Sequence, residues 1–182
     1  MGLWWTVGIL VVVAATVILV YNRLIRLRNR TDNAWAQVDV QLKRRYDLVP
    51  NLVETVKGYA SHESETFQAV VAARSAAQAA SGIEAQAAAE NLLTGTLRQL
   101  FALAKTYPQL RASENFQSLQ GDLSEAENKI AVARQIYNNT ALTYNTAMQT
   151  IPANLVASIA GFRPTGYFEV EDDARSAPSV GF

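Results

Sequence analysis

The N-terminal segment of this chain carries no charged side chain in residues 1–22, and residues 3–21 are almost entirely apolar. As an α-helix, residues 3–21 would extend roughly 28 Å, close to the thickness of the hydrocarbon core of a bilayer. Trp4 and Trp5 lie near one end and Tyr21 at the other, where aromatic rings favour the membrane-water boundary. We therefore predict a transmembrane anchor over residues 1–22. The alternative, a buried core helix, would need other segments apolar enough to surround it, and the chain has none.

A cluster of basic residues follows the apolar segment at once. Its members are Arg23, Arg26, Arg28 and Arg30. Because positively charged flanks stay in the cytoplasm, we expect the N-terminus outside and the body of the chain inside the cell. These arginines are also expected to bind the anionic headgroups of the lipid bilayer. A cleaved signal peptide would need basic residues ahead of the apolar run, so the segment is expected to stay in the mature protein.

The composition of the whole chain narrows the fold class and the chemistry. The 182 residues fit one domain beside the anchor, and only five prolines and nine glycines occur, which favours an all-α fold. The 16 basic and 16 acidic residues balance, so the total charge gives no support for a nucleic-acid partner. There is no cysteine, which excludes disulfides, thiolate metal sites and a Cys nucleophile.

Apolar residues recur at spacings of three and four after the anchor, which predicts that the anchor helix continues into a cytoplasmic helix. The first group comprises Trp35, Val38, Leu42, Tyr46 and Val49. The second group comprises Val53, Val56, Ala60, Glu63, Phe67 and Val70. Pro50 separates the two groups, but the second is in phase with the first. We therefore predict a kink at Pro50 rather than a break.

Turn signals mark the middle of the chain. Gly82, after Ser81, is predicted to end the second helical segment. A third helix is expected over residues 84–107, with Pro108 just beyond its end. Its apolar side comprises Leu93, Leu100, Leu103 and Tyr107.

The next segment has the most regular apolar pattern in the chain, a heptad stripe that follows a Ser113 N-cap and ends at Pro152. The stripe comprises Phe116, Leu119, Leu123, Ala126, Ile130, Ala133, Tyr137, Thr140, Tyr144, Ala147 and Ile151. Residues 154–159 are expected to form a short helix. Residues 161–182 are predicted to be a mobile acidic tail. Its acidic residues are Glu169, Glu171, Asp172 and Asp173.

Long helices with one apolar stripe each and short connections can bury those stripes only against one another. We therefore predict an antiparallel long-helix bundle with coiled-coil-like packing over residues 23–160. The first and last long helices exceed the middle helix in length, so part of their stripes would stay uncovered in a monomer. Uncovered stripes favour partner helices, and a homo-oligomer is expected.

Several motifs resemble the LemA family and cover nearly the whole chain in family order. They are residues 33–63 (NAWAQVDVQLKRRYDLVPNLVETVKGYASHE), 72–75 (AARS), 106–120 (TYPQLRASENFQSLQ), 131–145 (AVARQIYNNTALTYN) and 151–169 (IPANLVASIAGFRPTGYFE). The resemblance implies a single-pass protein of the bacterial inner membrane with a cytoplasmic helical bundle. It also implies a family without an assigned catalytic activity, whose members include proteins of magnetosome membranes and neighbours of membrane zinc-metalloprotease genes.

Polar residues crowd the expected kink at Pro50. They are Arg45, Asp47, Glu54, Lys57, His62, Glu63 and Arg74. Glu63 and Arg74 fall on or beside the apolar stripe, where an unpaired charge is costly, so an ion pair or a partner contact is expected. The simpler interpretation is a solvated or internally paired set of charges.

Two further groups of residues are candidates for interactions. Lys43, Arg44 and Arg45 form a second basic cluster about 30 Å beyond the arginines of the anchor in a straight helix, and we assign it to a partner protein. Tyr137, Tyr144 and Asn145 are expected to pack in the core, with Asn145 fixing helix register through a buried hydrogen bond. The alternative is that these three line a polar ligand groove.

No pattern in the chain predicts catalysis. His62 and Glu63 point about 100° apart on a helix, and no other His or Cys completes a shell, so no metal is expected. No Gly-framed nucleophile and no Gly-rich phosphate loop occur, so we predict neither an enzyme nor a cofactor site. The leading hypothesis is a membrane-anchored scaffold that self-assembles or docks another membrane protein. The alternative is an adaptor or regulator of a membrane zinc metalloprotease, suggested by the family resemblance alone.

Overall fold

The computed structural model of the protein describes residues 2–169, in which six α-helices and no strand occur. The helices are α1 (Gly2–Lys57), α2 (Ser64–Ala79), α3 (Ile83–Ala104), α4 (Pro108–Arg111), α5 (Glu114–Gln149) and α6 (Ala153–Ile159). The prediction of an all-α fold with a long apolar N-terminal helix and packed helices is confirmed.

The described chain forms two compact units, to which both α1 and α5 contribute. Unit 1 comprises residues 2–41 and 130–167, and unit 2 comprises residues 42–129 with Phe168 and Glu169. In unit 1, the side chains of α1, α5 and α6 meet in a small apolar cluster. Its buried members are Leu24, Ala147, Val156 and Ala157.

Helix α1 passes through Pro50 and ends at Lys57. The prediction that one apolar stripe runs unbroken as far as Val70 is therefore wrong. Gly58 is a poor helix former, and the chain after it turns instead of continuing, with the amides of Tyr59 and Ala60 both donating to the Val56 carbonyl at 3.0 Å. Helix α2 then carries a stripe of its own. Its buried members are Phe67, Val70, Ala73 and Ala77.

The predicted turn at Gly82 is confirmed, because Gly82 has a φ of +89°, a conformation that glycine adopts without strain, and α3 begins at the next residue. Helices α2 and α3 pack against each other. Helix α3 ends at Ala104, three residues earlier than predicted. The physical reason is Pro108, which excludes helical geometry at Tyr107, and Tyr107 is extended (φ −114°, ψ 92°).

The heptad stripe of α5 is buried as predicted, with two exceptions. Thr140 is only half-buried and Ala141 is buried beside it, while Ile151 is 84% exposed. Ile151 lies outside the helix because α5 ends at Gln149, ahead of Pro152. The short helix expected over residues 154–159 is present as α6.

Residues 162–169 follow α6 without regular secondary structure, and part of this segment is fixed to α5 by hydrogen bonds described below. The sequence predicts a mobile tail over residues 161–182. Residues 163–166 differ from that prediction, because hydrogen bonds fix them to α5. The remaining acidic positions of that tail, Glu171, Asp172 and Asp173, lie outside the described residues.

Candidate functional site

Unit 2 holds a buried polar network centred on Arg45 of α1. Arg45 is 2% exposed, because it falls on the same side of the helix as the buried Leu42 and Val49. Its Nη2 pairs with the carboxylate of Glu90 on α3, which is equally buried. Its Nη1 donates to Glu127 Oε1 on α5 at 2.6 Å and to Thr94 Oγ1 at 3.2 Å. One guanidinium thus joins three helices.

The second oxygen of the Glu90 carboxylate extends the network to Tyr46. The phenol of Tyr46 donates to Glu90 Oε1, and Gln86 Nε2 donates to the Tyr46 hydroxyl at 2.9 Å and to Glu90 Oε1 at 3.0 Å. Gln86 Nε2 also lies 3.0 Å from the carbonyl of Ala77, at the end of α2. Burial, and then the hydrogen bond to the Glu90 carboxylate, raise the pKa of Tyr46 well above its usual value. Tyr46 is therefore a neutral hydrogen-bond donor at physiological pH.

Pro50 explains the contact between α2 and the backbone of α1. A proline has no backbone N–H, so the helical acceptor four residues earlier, the carbonyl of Tyr46, loses its usual partner. Arg74 on α2 replaces that donor, with its Nε 2.7 Å from the Tyr46 carbonyl oxygen. The proline therefore creates a binding position for a side chain of the neighbouring helix.

The basic cluster assigned to a partner protein is divided by the structure. Arg45 points into unit 2, where both of its Nη atoms are bonded internally and its Nε is buried without a hydrogen-bond partner. Contrary to the assignment from the sequence, the side chain is therefore not accessible to a partner protein. Adjacent positions on a helix point about 100° apart, which leaves Lys43 and Arg44 on the exposed side. Arg44 lies 3.7 Å from Glu125, and both side chains are largely exposed.

The other polar residues expected near Pro50 do not join the network. Glu63 occupies the N-cap position of α2, where its side chain makes no capping hydrogen bond. The side chains that point outward are Asp47, Glu54, Lys57 and His62. For His62 and Glu63 the reason is that α1 ends at Lys57. The residues after Lys57 therefore do not continue the helical phase on which the prediction relied. Within residues 2–169, no cluster of three or more His, Asp or Glu side chains could hold a metal ion.

A groove of about 350 Å³ between α3 and α5 opens beside the network. Thr94 and Glu127, both partners of Arg45, lie in its wall, together with Phe101 and Leu123. Thr94 and Glu127 provide hydrogen-bond acceptors that Arg45 already occupies. The arrangement is suited to holding α1, α2, α3 and α5 together.

In unit 1, the three polar residues predicted on α5 bind a segment of the chain itself. The Tyr137 hydroxyl donates to the Gly166 carbonyl at 2.8 Å, and the Tyr144 hydroxyl donates to the Arg163 carbonyl at 3.1 Å. Asn145 makes a paired contact with Thr165, because its Nδ2 donates to the Thr165 carbonyl at 2.9 Å and its Oδ1 accepts from the Thr165 amide at 3.0 Å. Tyr137 also packs edge to face against Trp35 of α1.

The hydroxyl groups of Tyr137 and Tyr144 both point toward the segment after α6. Burial raises the pKa of both Tyr137 and Tyr144, so both phenols act as neutral donors. Residues 163–166 occupy the polar side of Tyr137 and Asn145, whereas Tyr144 also lines a polar cavity with Arg28 and Asp32. A polar ligand groove at Tyr144 therefore stays a prediction. Asn145 does make a buried hydrogen bond, as expected, but its partner is the segment after α6 rather than a neighbouring long helix.

No residue in the most apolar 18-residue window of α1 is buried, so this helix is a candidate membrane span. Helix α6 lies beside it, along Val12 to Tyr21. Trp4 and Trp5 are exposed, and Tyr21 packs edge to face against Phe162 with a centroid separation of 5.6 Å. The four arginines after the apolar segment, Arg23, Arg26, Arg28 and Arg30, are exposed.

The family model described as "LemA family" matches residues 34–182, which include every helix after α1 and the whole of the Arg45 network. The chain belongs to the LemA family. The match begins after the apolar segment and the first arginines, so the family relationship rests on the helical units.

Individual relatives of this LemA family protein align with a larger part of the chain. The magnetosome protein MamQ 2 of Paramagnetospirillum magneticum is 26% identical over 202 residues, covering 96% of this chain and 74% of that protein. The magnetosome protein MamQ of Magnetospirillum gryphiswaldense is 25% identical over 197 residues, covering 94% and 72%. Protein LemA of Metamycoplasma hominis is 24% identical over 159 residues, covering 85% and 71%.

Glu90, Glu127 and Gln86 were missed in the sequence, although a signal for Glu90 exists there. Glu90 stands in step with Leu93, Leu97 and Leu100 on the buried side of α3, and a carboxylate on an apolar stripe calls for a buried cation. Arg45 stands in step with Leu42 and Val49 in the same way. A carboxylate on one apolar stripe and a cation on another indicate, from the sequence alone, that the two side chains are candidates to pair. Gln86 has no such signal.

Proposed function

We propose that this LemA family protein is a single-pass membrane protein whose helical units serve as a scaffold at the cytoplasmic face of the bacterial inner membrane. The observation that carries the proposal is that no residue in the apolar window at the start of α1 is buried. Roughly 20 apolar residues left unburied need a bilayer or a large apolar partner, because their exposure to water is strongly unfavourable.

The position of the charges supports the orientation in which the helical units lie inside the cell. The exposed arginines Arg23, Arg26, Arg28 and Arg30 follow the apolar segment, and no charged residue precedes it. Basic flanks of a span remain in the cytoplasm, where they also meet the anionic headgroups of the inner leaflet.

Exposed apolar residues on the helices support a role in assembly. Val132 and Ile136 lie four residues apart on the outer side of α5, so they share one face, and both are exposed. Such a face fits a second copy of the chain or a helix of another membrane protein. A membrane anchor would raise the effective concentration of such partners by confining them to two dimensions. This role requires no catalysis.

Two variants that carry a single cysteine test the orientation, since the natural chain has none. A membrane-impermeant maleimide added to intact cells should label Gly2→Cys and leave Val132→Cys unlabelled until the cells are opened. Labelling of Val132→Cys in intact cells would contradict the cytoplasmic location.

The scaffold role is tested by the mass of the full-length protein in mild detergent, measured by light scattering. We expect a particle larger than one chain, and we expect Val132→Glu combined with Ile136→Glu to reduce its mass. Glu65→Gln, an exposed change on α2, is the control. A monomeric natural protein without a co-purifying partner would refute the scaffold.

A further inference from the structure

The last helix of unit 1 carries an unusual set of exposed apolar side chains. Ile151, Leu155 and Ile159 are 84%, 63% and 88% exposed. Leu155 and Ile159 lie four residues apart and share one side of α6, and Ile151 lies in the turn before the helix. The opposite side of α6 is buried, since Val156 and Ala157 pack into the cluster with Leu24. α6 is thus apolar both toward the protein and away from it.

The position of α6 along α1 indicates the environment of the outer side of α6. An apolar groove of about 620 Å³ lies between α1 and α6, with Val12, Val17 and Tyr21 in one wall and Leu155 and Ile159 in the other. Val12 to Tyr21 is roughly 13 Å of helix, and it is the half of the apolar segment next to the arginines. α6 therefore lies beside the span itself.

Three polar groups at this depth are satisfied within the chain, as a lipid environment favours. On the α1 wall, Thr16 Oγ1 donates to the Val12 carbonyl at 2.8 Å. On α6, the Leu155 amide donates to Asn154 Oδ1 at 2.8 Å and the Ala160 amide donates to the Val156 carbonyl at 2.9 Å. The groove is thus lined by apolar side chains and Thr16, and Ser158 is an exposed polar residue on α6.

A polar zone begins directly after α6. Tyr21 and Phe162 pack edge to face at the end of the apolar groove. Arg28, Asp32 and Arg163 then line a separate polar cavity of about 260 Å³. The change from apolar to polar surface between Tyr21 and Arg28 is the pattern of a hydrocarbon-headgroup boundary, with aromatic rings at the transition.

We propose that α6 is a second membrane contact, in which Ile151, Leu155 and Ile159 lie among the lipid acyl chains of the leaflet next to the arginines and an acyl chain fills the groove between α1 and α6. The inference rests on the proposed function, because it takes residues 3–21 to span the bilayer. Lipid is favoured over a protein occupant, since the α1 wall of the groove is continuous with the surface that the span presents to the bilayer.

The test uses the full-length protein in vesicles of phosphatidylcholine and phosphatidylglycerol. Single cysteines at Leu155→Cys and Ile159→Cys receive an environment-sensitive fluorophore, and quenching by lipids brominated in their acyl chains is compared with quenching by aqueous iodide. Leu10→Cys in the span and Leu92→Cys on α3 are the matched controls, both at exposed apolar positions.

We expect brominated lipid, and not iodide, to quench the labels at positions 155 and 159, with the reverse result at position 92. If brominated lipid quenches position 10 but iodide quenches positions 155 and 159, the contact by α6 is refuted and the anchor stands. If brominated lipid fails at position 10, the anchor itself is refuted. Labels at 155 and 159 that neither quencher reaches would show a protein on α6 and would overturn the inference.

Discussion

The guanidinium of Arg45 is paired with the carboxylate of Glu90, and both side chains are almost completely removed from solvent. A buried charge is costly to desolvate, and the cost is offset only when its partner and further hydrogen bonds are present. Here Glu127 and Thr94 complete the surroundings of Arg45, while Tyr46 and Gln86 complete those of Glu90. The pair therefore depends on three helices, α1, α3 and α5, being in place at once.

Removing either member of this pair should destabilise the protein far more than removing both. Arg45→Met leaves the buried Glu90 carboxylate without a cation and should lower the free energy of unfolding by about 3–5 kcal/mol. Glu90→Leu leaves the buried guanidinium with only the partly exposed Glu127 as its counter-charge, and its cost should be smaller. The double variant should lose much less than the sum of the two. Urea unfolding of the full-length protein in detergent, followed by circular dichroism, gives all three values.

The neighbouring residue provides the control. Arg44→Met and Glu125→Leu remove an exposed pair, and their coupling energy should be much smaller than that of the buried pair, because solvent screens exposed charges. If the buried pair showed no larger coupling than this surface pair, the network would not contribute as its geometry indicates.

The contribution of Arg74 to stability should depend on Pro50, because Arg74 donates to the carbonyl that the proline leaves without its helical donor. Arg74→Ala leaves the buried carbonyl of Tyr46 without a donor, which should cost about 1–3 kcal/mol of unfolding free energy. In a Pro50→Ala background, the restored backbone N–H of residue 50 can bond to that carbonyl, so the same Arg74→Ala change should cost clearly less. Equal costs in the two backgrounds, from the same unfolding measurement, would contradict this explanation of the contact.

The alkaline stability of the protein should depend on Tyr46. The pKa of Tyr46 is raised in the folded state, so its contribution is fully present below pH 10 and is lost as the pH rises from there toward the folded pKa. Tyr46→Phe removes this contribution, and the loss of unfolding free energy above pH 10 should become shallower. At neutral pH the same variant should be less stable, since the Glu90 carboxylate loses a donor.

Tyr144→Phe serves for comparison in the alkaline measurement. Burial raises the pKa of Tyr144, but its hydroxyl binds a backbone carbonyl rather than a carboxylate. The change in slope should be smaller than for Tyr46→Phe. The reverse order would show that the carboxylate of Glu90 is not a main cause of the shift at Tyr46.

Replacing Asn145 by alanine should release residues 163–166, the segment after α6, from α5. Asn145→Ala removes both hydrogen bonds to the backbone of Thr165, so the Thr165 amide should exchange its hydrogen faster while α5 stays protected. Hydrogen exchange with mass spectrometry on peptides covering residues 160–169 measures this. Asn139→Ala, at an exposed asparagine on the same helix, should leave the exchange unchanged.

The helices and their buried faces could largely be predicted because both follow from local periodicity. The stripe from Phe116 to Ala147 needs only the spacing of apolar residues along one helix, and the turn at Gly82 needs only the conformational freedom of glycine. The end of α1 at Lys57 was missed because the apolar spacing continues in phase across Gly58, and a single glycine is only a moderate helix breaker.

The partners in the polar network could not be predicted from periodicity, because they depend on which helices become neighbours. Periodicity places Arg45, unlike Lys43, in phase with Leu42 and Val49, but it does not show that Glu90 of another helix lies opposite. The fixed position of residues 163–166 has the same origin. A Pro- and Gly-containing segment without apolar periodicity resembles a mobile tail until Asn145 supplies partners for its backbone.

The exposed apolar side of α6 bears on how this protein can be prepared for study. Deleting the N-terminal span is a common route to a water-soluble version of a single-pass protein. In this chain, the deletion would leave Ile151, Leu155 and Ile159 exposed to water and would remove the α1 wall beside them. The truncated chain would be prone to aggregation, so polar replacements at these three positions belong in the same design.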